Sequence, residues 1–293
     1  MSASIHEVSA AGTTVVRAGP AGVTAPSRPP ARRGDGHSRR NGWLRVASPV
    51  ALVVLWQVLS ATGVLPPSKL VSPVSVAHTA WQLITTDNPS YGTLQKSLLV
   101  SAERWGTGFS LGTAIAIVLA VVTGLSRTGE LIFDPIVQVL RSIPLLGILP
   151  LFIVWFGIGE LPKDLIVVFG ALFPMYVNTF AGIRGVDPRL GELSRVLGLS
   201  RAETIRHIVL PDALPEALAG LRLGVVSSLL ALVVGEQINA NAGLGFMITQ
   251  AESFLQNNII MVALIVYAIL GLLADWMVRA IDRKALAWRR DFA

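Results

Sequence analysis

Six stretches of roughly 20 mostly apolar residues decide what this 293-residue chain can fold into. A helix needs about 20 apolar residues to cross the hydrocarbon core of a bilayer. The stretches are residues 46–65, 106–125, 136–158, 165–183, 217–234 and 259–278. Only 14% of the residues are charged, whereas soluble domains average about 25%. The sequence therefore predicts an all-α integral membrane protein with six transmembrane helices.

The basic residues predict which side of the membrane each loop occupies. If both termini lie inside, the inner segments hold 18 Lys and Arg residues, and the outer loops hold only Lys69, Lys96 and Lys163. Such an excess of basic residues marks the cytoplasmic loops. We expect cytosolic termini, a disordered basic tail over residues 1–42, and a transmembrane domain over residues 43–293. Residues 187–211, between the fourth and fifth stretches, should then be cytosolic.

Several kinds of chemistry are excluded by missing residues. The chain has no Cys, which rules out disulfides and thiolate sites. It has neither an H-E-x-x-H pair nor a Gly-Lys pair, so it lacks both a zinc-protease motif and a P-loop. Gly108 and Gly112 match a serine-hydrolase motif, but they lie in an apolar stretch and favour close helix packing instead. We expect no catalytic site, no metal site and no cofactor on this chain.

Residues 187–211 read as two short helices joined by a sharp turn. Leu190, Leu193 and Leu197 share one helical face, and Gly198 suits a left-handed helix end. A capping box follows, in which the side chains of Ser200 and Glu203 satisfy each other's amides. Pro211 is predicted to end the second helix. A rigid polar hairpin in so apolar a chain indicates a contact with another protein.

This hairpin resembles the EAA loop of ABC importer permeases, E-A-A-x3-G-x9-I-x-L-P, with Leu and Ser where that family usually has Ala. Three further segments resemble permeases for aliphatic sulfonates, with taurine and nitrate permeases as close relatives. They are LRSIPLLGILPLFIVWFGIG (140–159), ALFPMYVNTFAGIRGVD (171–187) and GEQINANAGLGFMITQAESFLQ (235–256). The resemblance implies that the hairpin docks on an ATPase subunit through Glu192, Leu193, Leu197, Gly198, Ser200, Glu203, Ile208, Leu210 and Pro211.

The same resemblance implies a type I importer fold in a bacterial plasma membrane. Two permease copies, expected to be identical, would stand on a pair of P-loop ATPase subunits, which would bind ATP and Mg²⁺. An external binding protein would deliver the substrate, and no nucleic acid is expected. The substrate branch stays open among sulfonates, taurine, nitrate and other small anions.

Candidate residues for the translocation path are Arg141, Pro144, Gly147, Pro150 and Glu236. The two prolines could free backbone carbonyls toward a cavity, or they could simply kink a packed helix. Arg141 could bind an anionic substrate or anchor the inner end of the third stretch. Glu236 could gate the outer mouth or face the lipid headgroups.

Two other classes of protein remain open from the sequence. An ion-gradient-driven carrier would need ionisable groups on its pathway, and the apolar stretches offer few. A structural subunit of another membrane complex would also bind a partner at the hairpin, but it would transport nothing.

Overall fold

The computed structural model describes residues 42–62 and 70–287, which form helices and no β-sheet. The helices are α1 Gly42–Ala61, α2 Pro73–Thr85, α3 Leu94–Leu125, α4 Arg127–Ser142, α5 Leu145–Phe156, α6 Leu161–Arg184, α7 Pro188–Val196, α8 Arg201–Thr204, α9 Leu210–Asn239, α10 Leu244–Ser253 and α11 Asn257–Ala285. A π-helical turn, Ile205–Val209, joins α8 to α9. The predicted tail lies outside the described residues except for Gly42, and its disorder stays a prediction.

Four helical segments in the described part of the chain are long and apolar enough to cross a membrane. They are Leu94–Leu125, Leu161–Arg184, Arg201–Ile238 and Asn257–Ala285. They contain the second, fourth, fifth and sixth predicted stretches. The first stretch is represented by a shorter apolar helix, Ala47–Ala61, and its predicted end, residues 63–65, lies outside the described residues.

The third predicted stretch, residues 136–158, is bent at Pro144, which agrees with the predicted kink, and its crossing as a single span stays a prediction. Helices α4 and α5 meet at an angle of 99°. Ile143 adopts an extended conformation with φ −76° and ψ 128°. The ring of Pro144 explains the break, because a residue before proline is pushed out of the α-helical region. Pro150 lies within α5 without interrupting it.

Small residues bring α3 and α6 into close contact along their length. A Cβ on Gly108 would lie 2.8 Å from the Cβ of Val167, and one on Gly124 would lie 2.7 Å from Cγ2 of Ile183. The packing role predicted for Gly108 and Gly112 is confirmed, because both are buried against α6. The residue numbers at these contacts increase together along α3 and α6, from Gly108 with Val167 to Gly124 with Ile183. The two helices therefore run in the same direction.

Helices α9 and α11 complete the bundle and define its two ends. A Cβ on Gly182, near the end of α6, would lie 2.8 Å from the carbonyl of Ala213 near the start of α9. Helix α9 is therefore antiparallel to α6. Tyr267, in the first half of α11, donates a hydrogen bond to Glu236 near the end of α9, so α11 is antiparallel to α9. Residues 187–211 lie at one end of the bundle and Glu236 lies toward the other.

Candidate functional sites

The polar hairpin, residues 187–211, has the glycine turn that its sequence predicts. Helix α7 begins at Pro188, with the side chain of Asp187 accepting a bond from the amide of Arg189. Gly198 ends it with φ +68°, a conformation that costs other L-residues about 1–2 kcal/mol. The amide of Leu199 then donates to the carbonyl of Ser194 at 3.0 Å. These bonds fix the direction in which the chain leaves the helix.

The predicted capping box is confirmed at the start of α8. The amide of Ser200 donates to Oε2 of Glu203 at 2.8 Å, and the amide of Glu203 donates to Oγ of Ser200 at 3.3 Å. The hydrogen bonds from the Ser200 side chain and backbone lower the pKa of the Glu203 carboxyl. Arg201 next to it reaches the carbonyl of Leu125 at 3.4 Å, which links the hairpin to the end of α3.

Pro211 does not end the second hairpin helix, and this prediction is wrong. Helical structure continues from Arg201 to Ile238. A proline inside a helix normally clashes with the carbonyl four residues earlier. Here the π-helical turn adds one residue, so that the amide of Leu210 donates to the carbonyl of Ile205, and the wider turn accommodates the proline ring. The hairpin is consequently joined to α9 without a flexible segment.

The hairpin exposes an apolar patch, defined here as Leu193, Val196 and Leu197. Their exposed fractions are 49%, 84% and 63%. Ser194 is only 4% exposed, so the third position of the EAA motif needs a small residue. Glu192 is exposed beside the patch. Exposed apolar residues on a rigid element are typical of a protein–protein contact.

The remaining predicted coupling residues lie where the hairpin joins α9. Ile208 is half-buried and Leu210 is 43% exposed. They precede Pro211, the second residue of α9. These positions belong to the base of the hairpin, whereas the apolar patch belongs to α7.

Four of the five candidate path residues cluster around the break between α4 and α5. Arg141, Pro144, Gly147 and Pro150 are all exposed. Their surface is available to a ligand or to another chain, and none is covered by the described part of this chain. The fifth candidate, Glu236, is not near them.

Glu236 is fully buried, with 0% of its surface exposed, so the expectation that it faces the headgroups is wrong. Its carboxylate accepts bonds from the hydroxyl of Ser101 at 2.8 Å, from the hydroxyl of Tyr267 at 2.7 Å and from the guanidinium of Arg104. The amide of Gly245 donates to it as well, at 2.9 Å. These donors fully compensate a buried negative charge.

The start of α10 explains why glycines follow Glu236 in the sequence. The amides of Leu244 and Gly245 donate to Ser101 and Glu236, so the carboxylate caps the positive end of this helix. A Cβ on Gly243 would lie 2.6 Å from Oε1 of Glu236. Gly243 also has φ +119°. The run ANAGLGFM therefore has a structural cause in this chain.

Arg104 extends the network to the loop before α6. Its Nε donates to Oε2 of Glu160 at 3.1 Å, and Nζ of Lys163 donates to Oε1 of Glu160 at 2.6 Å. Burial raises the pKa of Glu160, but the bonds from Lys163 and Arg104 outweigh it and lower that pKa overall. We call Arg104, Glu160, Lys163 and Glu236 the charge cluster. The two positive and two negative side chains give the charge cluster no net charge.

The charge cluster ties together elements that are distant in sequence. Arg104 lies on α3, Glu160 precedes α6, and Glu236 lies on α9. Sequence reasoning missed Arg104 as the partner of Glu236, and Glu160 and Lys163 as the rest of the cluster. Only the three-residue spacing of Glu160 and Lys163 is a local signal, because the other contacts depend on the packing of α3, α6 and α9.

The described residues contain no candidate metal centre. Within ranges 42–62 and 70–287, no group of three His, Asp or Glu side chains could hold a metal ion.

Comparisons with known proteins agree with the fold. The chain is 39% identical over 255 residues to a protein named as an aliphatic sulfonates transport permease, SsuC, of Bacillus subtilis, covering 87% of this chain and 91% of that one. It is 41% identical over 248 residues to SsuC of Escherichia coli, covering 84% and 92%. A crystal structure of an amino acid ABC transporter matches with a TM-score of 0.55 and 18% identity, covering 73% of this chain and 99% of that chain. Residues 59–286 match the family described as binding-protein-dependent transport system inner membrane component, and the chain belongs to this family.

Proposed function

We propose that this chain is the permease subunit of an ABC importer for aliphatic sulfonates in a bacterial inner membrane. It would pass the substrate from an external binding protein to the cytosol. The two similar proteins named as sulfonate permeases support this substrate class. The permease itself hydrolyses nothing, and ATP and Mg²⁺ bind to the partner ATPase subunits.

The proposed topology has six crossings with both termini in the cytosol. Helix α1 makes the first crossing, and the bent pair of α4 and α5 makes the third. The directions of α3 and α6 support the assignment of the bent pair to the third crossing. Because α3 ends at the hairpin end of the bundle and α6 starts at the opposite end, the chain must return between them. The excess of basic residues supports the cytosolic side for the hairpin.

The exposed apolar patch on the hairpin is the observation that carries the coupling role. We infer that Leu193, Val196 and Leu197 enter a groove on the ATPase subunit, with Glu192 at the edge of the contact. The helix from Arg201 to Ile238 has no break, and at 1.5 Å per residue it is roughly 55 Å long. A displacement of the hairpin would therefore move α9 as a rod.

The translocation path is proposed to run past the break between α4 and α5, at the contact with a second, identical permease. Support comes from the exposure of Arg141, Pro144, Gly147 and Pro150. Arg141 is the cation that an anionic sulfonate would prefer there. Glu236 has no place on this path, because its carboxylate is buried and paired.

The coupling role is tested by three substitutions at two glycines. Gly198→Val should uncouple the complex because a β-branched residue resists positive φ, whereas Gly198→Asn should retain function because Asn tolerates it. Gly191→Ala is the matched control, since a Cβ there meets no atom within 4 Å. Each variant is coexpressed with its ATPase and binding protein, and copurification and sulfonate-dependent ATPase activity are measured in proteoliposomes.

We expect Gly198→Val alone to lose ATPase binding and stimulation. Normal copurification and uptake by that variant would show that the hairpin is not the docking element. Uptake by the chain without an ATPase, collapsing when an ion gradient is removed, would favour the gradient-driven carrier instead. Competition by taurine or nitrate that exceeds competition by alkanesulfonates would move the substrate to another branch of the family.

A further inference from the structure

A groove with apolar walls and three charged side chains lies between α9 and α11. Its volume is about 570 Å³. The lining includes Pro215, Leu218 and Arg222 from α9, and Val278, Arg279 and Asp282 from α11. These residues precede the cytosolic end of α11, so in the proposed topology the groove opens toward the inner leaflet.

Two arginines at the groove, Arg222 and Arg279, share a single carboxylate partner, Asp275. Asp275 forms an ion pair with Arg222, with Nε of Arg222 3.0 Å from Oδ1 of Asp275, and a second ion pair with Arg279. The two guanidiniums are 56% and 53% exposed, whereas Asp275 is 20% exposed. Each guanidinium has five N–H donors, and one shared carboxylate leaves donors of both available to a further anion.

Asp282 supplies the opposite charge one turn further along α11. It lines the same groove, and within the described part of the chain its carboxylate forms no ion pair. Side chains three residues apart on a helix lie roughly 5–6 Å apart at Cβ. The groove therefore offers cations at Arg222 and Arg279, and an acceptor for a cation close beside Arg279.

Exposed apolar side chains lie in and near the groove. Leu223 lines it and is 53% exposed. On α11, Leu272 and Trp276 come three residues before Asp275 and Arg279, on the same side of the helix, and they are 66% and 61% exposed. Exposed tryptophan is enriched at the level of lipid headgroups. A half-exposed guanidinium in an apolar span is costly unless an anion meets it. Apolar walls beside paired charges match an amphipathic ligand.

We infer that this groove binds the headgroup of a zwitterionic aminophospholipid from the inner leaflet. The phosphate meets Arg222 and Arg279, the primary ammonium meets Asp282, and the acyl chains lie along Leu223 and Leu272. A free phosphate would use only the cations. A quaternary ammonium headgroup cannot donate hydrogen bonds to Asp282. The inference depends on the membrane orientation but not on the ATPase-docking role.

The test is lipid selection by the purified full-length chain. Delipidated protein is mixed with equal amounts of phosphatidylethanolamine, phosphatidylglycerol and phosphatidylcholine that carry the same acyl chains, and bound lipid is counted by native mass spectrometry. We expect phosphatidylethanolamine to predominate. Arg222→Gln should reduce its binding roughly tenfold, the effect of losing one charge-assisted hydrogen bond.

Asp282→Asn is the sharper variant because it predicts a change of preference. Without the carboxylate, phosphatidylglycerol should replace phosphatidylethanolamine, since the two Arg residues remain. Arg127→Gln, which removes another exposed Arg at the start of α4, should change neither. Thermal unfolding without added lipid identifies any variant that is misfolded, and the conservative changes Arg222→Lys and Asp282→Glu then replace it.

Three outcomes would overturn the inference. One is wild-type protein that binds phosphatidylglycerol or phosphatidylcholine as well as phosphatidylethanolamine. Another is an unchanged lipid preference in Asp282→Asn. The third is displacement of the lipid by an alkanesulfonate, which would identify the groove as a substrate site.

Discussion

The close contact between α3 and α6 allows the stability change of a substitution to be predicted in kcal/mol. The prediction compares two glycines of α3, Gly108 and Gly106. An alanine Cβ at position 108 would lie 2.8 Å from both Cβ and Cγ1 of Val167. Carbon atoms prefer separations of about 3.5–4.0 Å, so α3 and α6 must part by roughly 0.7–1.2 Å. Valine has no flexible end that could move away instead. Overpacking of this kind costs about 1–3 kcal/mol.

Gly106 provides the matched control, because a Cβ at that position meets no atom within 4 Å. Both changes to alanine gain helix propensity of about 1 kcal/mol, so the difference between them isolates the steric cost. We expect Gly106→Ala to be neutral or slightly stabilising. Gly108→Ala should be less stable than Gly106→Ala by about 1–3 kcal/mol.

The measurement is unfolding of the purified chain in detergent, followed by tryptophan fluorescence as temperature or SDS increases. Both variants are compared with wild type under identical lipid and detergent conditions. Equal stability of the two alanine variants would refute the reasoning, because it would mean that α3 and α6 are not in close contact at Gly108.

Three further predictions concern charged and capping groups. Glu236→Gln should destabilise the chain by about 3–5 kcal/mol, because Arg104 loses its fully buried partner. Glu130→Gln should cost clearly less, because its ion pair with Arg184 joins side chains that are 37% and 39% exposed; equal losses of thermal stability would contradict this. Ser200→Ala should weaken protection of hairpin amides from hydrogen exchange by about 1 kcal/mol locally. The folded-state pKa of Glu203 is lowered, so its contribution to the cap should be complete above the unfolded pKa of about 4.3. That contribution should be lost as the pH falls through the lower folded pKa. Amide protection in the hairpin that does not change with acid would argue against a capping role for Glu203. Arg141→Ala should lower uptake at limiting sulfonate without releasing the ATPase, and unchanged uptake would remove Arg141 from the path.

The elements that could be predicted from sequence are those determined by local chemistry. Apolar length identified the long helices, Gly198 marked a left-handed turn, and Ser200 with Glu203 marked a helix start. In each case the cause lies within a few residues. The motif that carried the family resemblance, residues 192–211, is of the same kind, since its glycine and its small third position have local structural reasons.

The predictions that failed depended on a neighbouring turn or on tertiary packing. Pro144 and Pro211 are both prolines in apolar surroundings, yet one breaks the helix and the other does not. A π-helical turn precedes Pro211, and Pro150 and Pro174 lie inside helices without breaking them, so a proline by itself does not predict where a helix ends. For Glu236, the alternative of facing the headgroups fails, because the return of α10 and the approach of Arg104 cannot be read from spacing.

The two ends of α9 indicate how the proposed movement of the hairpin would reach the opposite end of the bundle. At one end the helix continues into the hairpin, and toward the other Glu236 is held by α3, α10 and α11 through Arg104, Gly245 and Tyr267. Breaking a buried charged pair costs about 3–5 kcal/mol, so these three elements should move together with α9. The pair between Arg104 and Glu160 is different, because Glu160 is 59% exposed and Arg104 would keep Glu236 as its buried partner. This pair should therefore break at lower cost than the pair with Glu236, so that α3 stays with α9.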